Sequence, residues 1–135
     1  MHYSGSIETK EDSQLKEKVL FIPIFDRVLT VIIGDFGSLS SYMKTTHNID
    51  LAPCLGAYAC VDNCHYLLLT SNATLAVLLH ELSHATFGII DRIGADPSDQ
   101  ELFCYLQGFL IQQVLTLIDS DLTKQLDTCL VHSQK

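Results

Sequence analysis

The feature that most constrains this fold is an apolar stretch that carries two histidines four residues apart. His80, Glu81 and His84 belong to a His-Glu-x-x-His pentad, and leucines lie before it and within it. In an α-helix, side chains at i and i+4 lie on the same face, one above the other. The pentad therefore predicts a helix, from about residue 73 to 92, that presents both imidazoles on one face.

The same pentad indicates metal chemistry. Two imidazoles on one helix face can bind a single zinc ion, and the adjacent carboxylate can accept a proton from a zinc-activated water. The sequence thus predicts His80 and His84 as metal ligands, Zn²⁺ as the cofactor and Glu81 as the general base. The structural alternative is an amphipathic helix whose exposed face happens to carry these residues.

A catalytic zinc site usually has a third protein ligand, and four acidic residues follow the pentad: Asp91, Asp96, Asp99 and Glu101. Asp91 lies about two turns further along the same helix, too far from an ion held by the histidines. Asp96 and Asp99 have commoner uses in turns and at helix starts. Glu101 can reach across from a second helix. However, Ser98 and Glu101 also match a capping box, in which the glutamate only binds a backbone amide.

The segments before the pentad predict a short sheet. Residues 19–25 and 27–33 are rich in β-branched and aromatic residues, and Pro23 restricts the first of these runs to an edge, a bulge or an irregular lead-in. Asp62-Asn63 suits a tight hairpin between residues 57–61 and 64–69. The result is three to four strands in a mixed or antiparallel sheet.

Two further helices complete the expected α+β fold. Ser38 is a candidate cap for a short helix over residues 39–45, which presents Leu39, Tyr42 and Met43 to the sheet. A second long helix follows the pentad helix and ends near Asp119, with apolar residues at helical spacing. We expect the sheet to pack on the pentad helix and on this second long helix.

Length and charge limit the domain organisation and the partners. We expect one domain over residues 19–120, a polar leader over 1–18 and a tail over 121–135. Sixteen acidic against eight basic residues, without a basic cluster, argue against a nucleic-acid partner. No stretch reads as a signal peptide or a membrane span, and five cysteines are an odd number for a disulfide framework. These features favour a cytoplasmic protein without a membrane partner.

The remaining cysteines and histidines give weaker signals. Cys60 and Cys64 have the wrong spacing for a zinc knuckle and are interpreted as small buried hydrophobes. A three-residue hairpin loop would place them face to face and permit a disulfide. His47, His65 and His132 lack sequence partners and are interpreted as surface or loop residues.

Residues 28–118 resemble the small zincin-like metallopeptidases encoded by tailed bacteriophages and prophages. The resemblance rests on the pentad, on Asp99-Gln100-Glu101 and on the run from Tyr105 to Leu110, with a similar strand-helix-strand-strand lead-in. It implies a zincin-like fold of the gluzincin type, with His80, His84 and Glu101 as zinc ligands and Glu81 as general base. Tyr105 becomes a candidate for hydrogen bonding an oxyanion or Glu101, although a tyrosine at helical spacing is more often core.

The resemblance also implies a function. The expected activity is that of a phage-encoded metallopeptidase in the host cytoplasm, acting on a peptide or protein substrate. We expect a strand within residues 64–69 to border the cleft and to pair with an extended peptide. The alternative is a zinc-binding phage accessory protein that acts by binding a host or virion protein.

Overall fold

The computed structural model describes residues 15–23 and 25–118, which form an α+β fold of four strands and three helices. The strands are β1 (Lys16–Ile22), β2 (Arg27–Gly34), β3 (Gly56–Val61) and β4 (Cys64–Thr70). The helices are α1 (Phe36–His47), α2 (Leu75–Arg92) and α3 (Gln100–Leu117). The predicted α+β class is confirmed. The predicted tail over 121–135 and most of the leader lie outside the described residues.

The four strands form a mixed sheet in the order β1-β2-β4-β3. The pair β2 and β4 is parallel, and the two outer pairs are antiparallel. Strand β1 is an edge strand that ends directly before Pro23, as predicted. It begins at Lys16, however, so the predicted boundary between leader and domain at residue 18 cuts through a strand.

The predicted hairpin is confirmed, with Asp62 and Asn63 as its two loop residues. Both have positive φ angles, of 51° and 66°, which asparagine and aspartate tolerate better than most residues. This loop pairs Val61 with Cys64 and Cys60 with His65. The three-residue loop that would place Cys60 opposite Cys64 is therefore wrong.

Helix α1 covers one face of the sheet. Its buried Leu39 and Met43 pack with Ile32 and Leu68, as the spacing predicted. The side chain of Asp35 accepts a 2.8 Å hydrogen bond from the backbone N–H of Ser38, so Asp35 caps the helix. The prediction of Ser38 as the cap was wrong, because the Asp35 carboxylate, three residues before Ser38, is placed to accept a free backbone N–H at the start of the helix.

Helices α2 and α3 cover the other face and enclose the larger core. That core joins apolar residues of the sheet, α2 and α3, including Leu29, Leu67, Leu82, Ile89, Leu106 and Leu110, each fully buried. Helix α2 is capped by Thr74, whose side chain accepts a hydrogen bond from the backbone N–H of Val77, and the chain turns at Gly94, where φ is +77°. Within the described residues, no helix is both long and apolar enough to cross a bilayer.

Helix α3 begins differently from the prediction. Its cap is Asp99, whose carboxylate accepts a 3.1 Å hydrogen bond from the backbone N–H of Leu102. Ser98 instead donates to Asp96 from both its N–H and its hydroxyl. The capping box between Ser98 and Glu101 is therefore wrong, because the Asp96 turn uses Ser98 first.

Candidate metal-binding cleft on helix α2

The two histidines of the pentad meet on the exposed face of α2. The Nε2 atoms of His80 and His84 are 3.2 Å apart, and the ring planes are inclined by 78°. Two nitrogen ligands 2.0 to 2.1 Å from one tetrahedral zinc ion are separated by about 3.3 Å. The separation observed here therefore fits two ligands of a single zinc ion.

The position of these rings follows from the apolar pattern of α2. The helix buries Leu78, Leu82, Ala85, Ile89 and Ile90 against the core. The opposite stripe carries both histidines and remains open to solvent, with 68% of the His80 side chain exposed. Because the packing of these apolar residues fixes the rotation of α2 about its axis, the imidazoles point away from the protein interior.

The carboxylate of Glu81 lies beside them on the side that faces β3. Its Oε2 atom is 3.9 Å from His80 Nε2, and only 13% of its side chain is exposed. A Cβ atom on Gly56 would lie 3.3 Å from Glu81 Cγ and 2.8 Å from Val77 Cγ1. A glycine at position 56 therefore allows the edge strand to approach the carboxylate.

An open cleft of about 400 Å³ lies at this junction of α2 and β3. It is lined by Leu55, Gly56, Ala76, Val77, His80 and Glu81. One wall therefore carries the titratable groups, and the other is the start of an edge strand. The cleft has room for a small part of a substrate next to the histidines and Glu81.

Cys54 approaches the same cleft but is no nucleophile at neutral pH. Burial and then the negative charge of Glu81 raise the pKa of its thiol, and a hydrogen bond from the Gly56 backbone N–H lowers it less. The thiol is therefore protonated, and thiolates are the form that attacks carbonyls. His80 and Glu81 are the titratable residues that line this cleft.

Strand β3 offers free backbone groups along the cleft. Leu55 and Thr70 form a hydrogen-bonded pair, so alternate residues of the antiparallel ladder, Gly56, Tyr58 and Cys60, direct their N–H and C=O groups away from β4. The prediction that the cleft borders the strand at 64–69 was wrong, because that strand, β4, lies between β2 and β3.

A hydrogen bond between side chains of β3 and β4 lies beneath helix α2. The Tyr58 hydroxyl and His65 Nδ1 are 2.7 Å apart, and His65 is fully buried. The Tyr58 hydroxyl also contacts the backbone of α2 at Gly88, where a Cβ atom would collide with it. The interpretation of His65 as a surface residue was wrong, because its side chain points towards the helices.

Burial lowers the pKa of His65, and the positive charges of Arg27 and Arg92 lower it further. The imidazole is therefore neutral at neutral pH. Its Nε2 atom and the Nε atom of Arg27 are buried without a hydrogen-bond partner among the described residues. This ring is built into the core, unlike the pair on α2.

Two contacts define how α3 lies along α2. Gln107 Nε2 donates to Ser83 Oγ at 2.7 Å, and the rings of Phe87 and Phe103 are 4.5 Å apart. The helices are thus antiparallel, and Glu101 lies at the level of about residue 89. That level is five residues beyond His84, or about 7.5 Å along the axis.

The structure does not bring Glu101 together with the histidines. Over residues 15–23 and 25–118, no three His, Cys, Asp or Glu side chains are grouped to hold a metal ion. Glu101 is exposed in the first turn of α3. Its role as third ligand stays a prediction.

Tyr105 lies at another place on α3. It is 54% exposed and lines a small apolar cavity with Ile22, Pro23, Phe25, Leu106 and Phe109. It is not part of the cleft that contains His80 and Glu81. The structure therefore separates Tyr105 from the pentad, and its predicted catalytic role gains no support.

The hairpin cysteines and His47 complete the set of predicted residues. Cys60 is a half-buried free thiol, whereas Cys64 is exposed, so the prediction of burial was wrong for Cys64. His47 is half-buried, 4.8 Å from the ring of Tyr66 between ring centroids, and is not a loop residue. His132 lies outside the described residues.

Comparisons with known proteins yield no relative. No protein-family model, curated protein or solved structure matches the chain.

Sequence reasoning missed the neighbours of the histidines. Phe87 lies seven residues after His80 and three after His84, so helical spacing alone predicts it on the same face. Gly56 gave no such signal, because its contact with Glu81 depends on how the sheet packs on α2. The contact of Tyr58 with His65 follows from the register of the two-residue hairpin, a signal that was present but not used.

Proposed function

We propose that this protein is a zinc-dependent metallopeptidase with a zincin-like arrangement of its catalytic groups. The observation that carries the proposal is the 3.2 Å separation of His80 Nε2 and His84 Nε2, with the Glu81 carboxylate 3.9 Å from His80 Nε2. Two imidazoles that can bind zinc and one carboxylate that can accept a proton are among the groups that metal-assisted hydrolysis uses.

The surroundings of α2 support a peptide as the substrate. The edge strand β3 runs beside the pentad and directs backbone donors and acceptors away from the sheet at Gly56 and Tyr58. An extended peptide can add to such an edge through main-chain hydrogen bonds. A peptide paired in this way lies at the edge of the sheet, beside the cleft that His80 and Glu81 line.

The chain's own residues perform the proton transfers in this proposal. Zinc supplies a Lewis acid that lowers the pKa of water and polarises the carbonyl group. Glu81 takes the proton of the attacking water and returns it to the leaving amine. Its restricted exposure, at 13%, keeps the carboxylate next to the histidines rather than in bulk solvent.

Glu101 remains the proposed third ligand, and its placement defines a clear test. At about 7.5 Å along the axis from the level of His84, its carboxylate reaches the ion only if the start of α3 moves towards the cleft. A metal site without Glu101 keeps His80 and His84 and completes its coordination with water.

The test compares metal content and peptidase activity of the purified protein. We expect one zinc per wild-type chain, lost in His80→Ala and retained in the control His47→Ala, whose imidazole lies on α1. Glu101→Ala decides the third ligand, since retained zinc excludes it. Absence of zinc from the wild type after growth and dialysis with zinc would reject the proposal.

A second candidate function has its own observation. Val19, Phe21 and Val28 lie on one face of β1 and β2, with exposed fractions of 60%, 52% and 39%. Exposed apolar patches are typical of protein-binding surfaces. This patch favours the accessory-protein alternative, in which the chain binds a host or virion protein. In that case zinc binds but no peptide is cleaved.

A further inference from the structure

A half-exposed aromatic pair lies beside the histidines on the side of α3. Phe87 comes three residues after His84 and therefore lies one turn further along the same face of α2. Its side chain is 50% exposed, and its ring centroid is 4.5 Å from that of Phe103, with the planes inclined by 40°. Solvent thus meets an aromatic surface next to the candidate metal ligands.

We propose that Phe87 and Phe103 bind a large apolar side chain of the substrate, close to the bond that is cut. This inference rests on the proposed peptidase function and adds which peptides the cleft selects. Aromatic rings bind other rings in tilted or offset arrangements, and Phe87 leaves half of its surface free for such a contact.

The cleft, which lies on the other side of the histidines from Phe87, is also partly apolar. Leu55 is 42% exposed and lines the cleft with Ala76 and Val77, ten residues before Phe87 on α2. Ten helical residues span about 15 Å, the length of an extended peptide of four or five residues. A peptide that passes the histidines along this face therefore meets Leu55 at one end and Phe87 at the other.

The charges near Phe87 discriminate against acidic side chains. Asp91 lies one turn beyond Phe87 on the exposed face of α2, and the whole chain carries a formal charge of −8. A carboxylate placed on the aromatic pair would be repelled by Asp91 and would lose water without gaining a partner. The selected class is peptides with an aromatic or large aliphatic residue at this position.

Cleavage-site profiling tests this selection. The zinc-loaded protein is incubated with a mixture of short peptides, and the cut sites are read by mass spectrometry. We expect cuts beside Phe, Tyr, Leu or Met. In Phe87→Ala, kcat/KM should fall roughly tenfold or more for a phenylalanine peptide and less than twofold for its alanine analogue. Phe87→Leu should restore part of the preference.

The matched control is Phe36→Ala, which removes a half-buried phenylalanine from the start of α1, on the opposite face of the sheet. It should leave the preference unchanged. Zinc content and circular dichroism verify that each variant is folded. Cleavage without apolar preference, or a preference that survives in Phe87→Ala, overturns the inference while the peptidase function stands.

A binding measurement separates this inference from the peptidase function. Zinc-loaded Glu81→Gln is titrated with N-acetyl-phenylalaninamide and, as the acidic control, with the α-amide of N-acetyl-glutamic acid, whose side-chain carboxylate is free. Changes in NMR chemical shift are followed. We expect the NMR signals of Phe87 and Phe103 to shift with the aromatic ligand and not with the acidic one. Such shifts without cleavage of any peptide by the wild type would reject the peptidase and retain the apolar site. Absence of shifts at both rings, or equal shifts with both ligands, overturns the site.

Discussion

Two histidine sites in this protein show how surroundings decide the use of the same side chain. On α2, His80 and His84 face each other in the open, with their Nε2 atoms 3.2 Å apart. On β4, His65 is fully buried and joined to the hydroxyl of Tyr58 on β3. The first pair is free to bind an ion, whereas the second histidine is held neutral as part of the packing between sheet and helix.

The largest expected effect comes from a substitution that removes the chemistry of the open site and leaves the buried histidine unchanged. Glu81→Gln removes the proposed proton acceptor but keeps the shape of the side chain. Turnover should fall by about 10²- to 10⁴-fold, with zinc content unchanged. Peptidase assays and metal analysis measure both quantities. The control Glu17→Gln lies on the opposite edge strand, and unchanged turnover in Glu81→Gln would contradict the assigned role.

Zinc binding should raise the free energy of unfolding through the open histidine pair and not through the buried histidine. A ligand that binds only the folded state stabilises it by about 2.7 kcal/mol at one hundred times its Kd. Denaturant unfolding of the wild type should show this gain, and His84→Ala should not. His65→Gln should retain the gain, because His65 is buried away from the cleft. Equal stabilisation of His84→Ala would show that zinc binds elsewhere.

A substitution that crowds the buried histidine site should lower the free energy of unfolding. In Gly88→Ala the new methyl group collides with the Tyr58 hydroxyl, which His65 holds in place. We expect a destabilisation of about 1 to 3 kcal/mol in denaturant unfolding, with zinc still bound. Gly108→Ala is the control, since a Cβ there meets nothing within 4 Å and should stabilise α3. Equal behaviour of both variants would disprove the Tyr58 contact.

The smallest effect is a pH dependence of stability that the buried histidine should produce. Burial and then Arg27 and Arg92 lower the pKa of His65 below its ordinary value of 6.5. Between the lowered pKa and 6.5 the unfolded chain binds more protons than the folded one, so this contribution to stability is complete above pH 6.5. It is lost as the pH falls, by at most about 1.4 kcal/mol per pH unit.

Urea unfolding of metal-free protein between pH 7.5 and 5.5 measures this slope. Chelation removes the contribution of zinc ligands, and His65→Gln should flatten the curve, because glutamine can keep a hydrogen bond to Tyr58 but does not titrate. A slope that persists in His65→Gln would assign the effect to other groups.

Much of the fold could be predicted, because the elements follow local patterns. The 3.6-residue spacing around His80, the turn pair Asp62-Asn63 and Pro23 after β1 each determine their element with neighbours close in sequence. The helix starts were less certain. Asp35 and Asp99 displaced Ser38 and Ser98 as caps, since several side chains near each start can accept the same backbone N–H groups.

The candidate site divides in the same way. His80, Glu81 and His84 could be placed together from the sequence, because a single helical turn brings them together. The distance of Glu101 from them depends on where α3 crosses α2, and that crossing is set by contacts such as Gln107 with Ser83. The burial of His65 likewise depends on the sheet meeting the helices.

The sequence by itself determined the pentad helix, the hairpin and the α+β class, because backbone periodicity and turn chemistry act over a few residues. Only the tertiary structure decided that β3 borders the cleft, that Tyr105 lies outside it and that Phe87 meets Phe103 beside the histidines. These relations join residues distant in the chain, and they depend on how apolar faces pack rather than on any local preference.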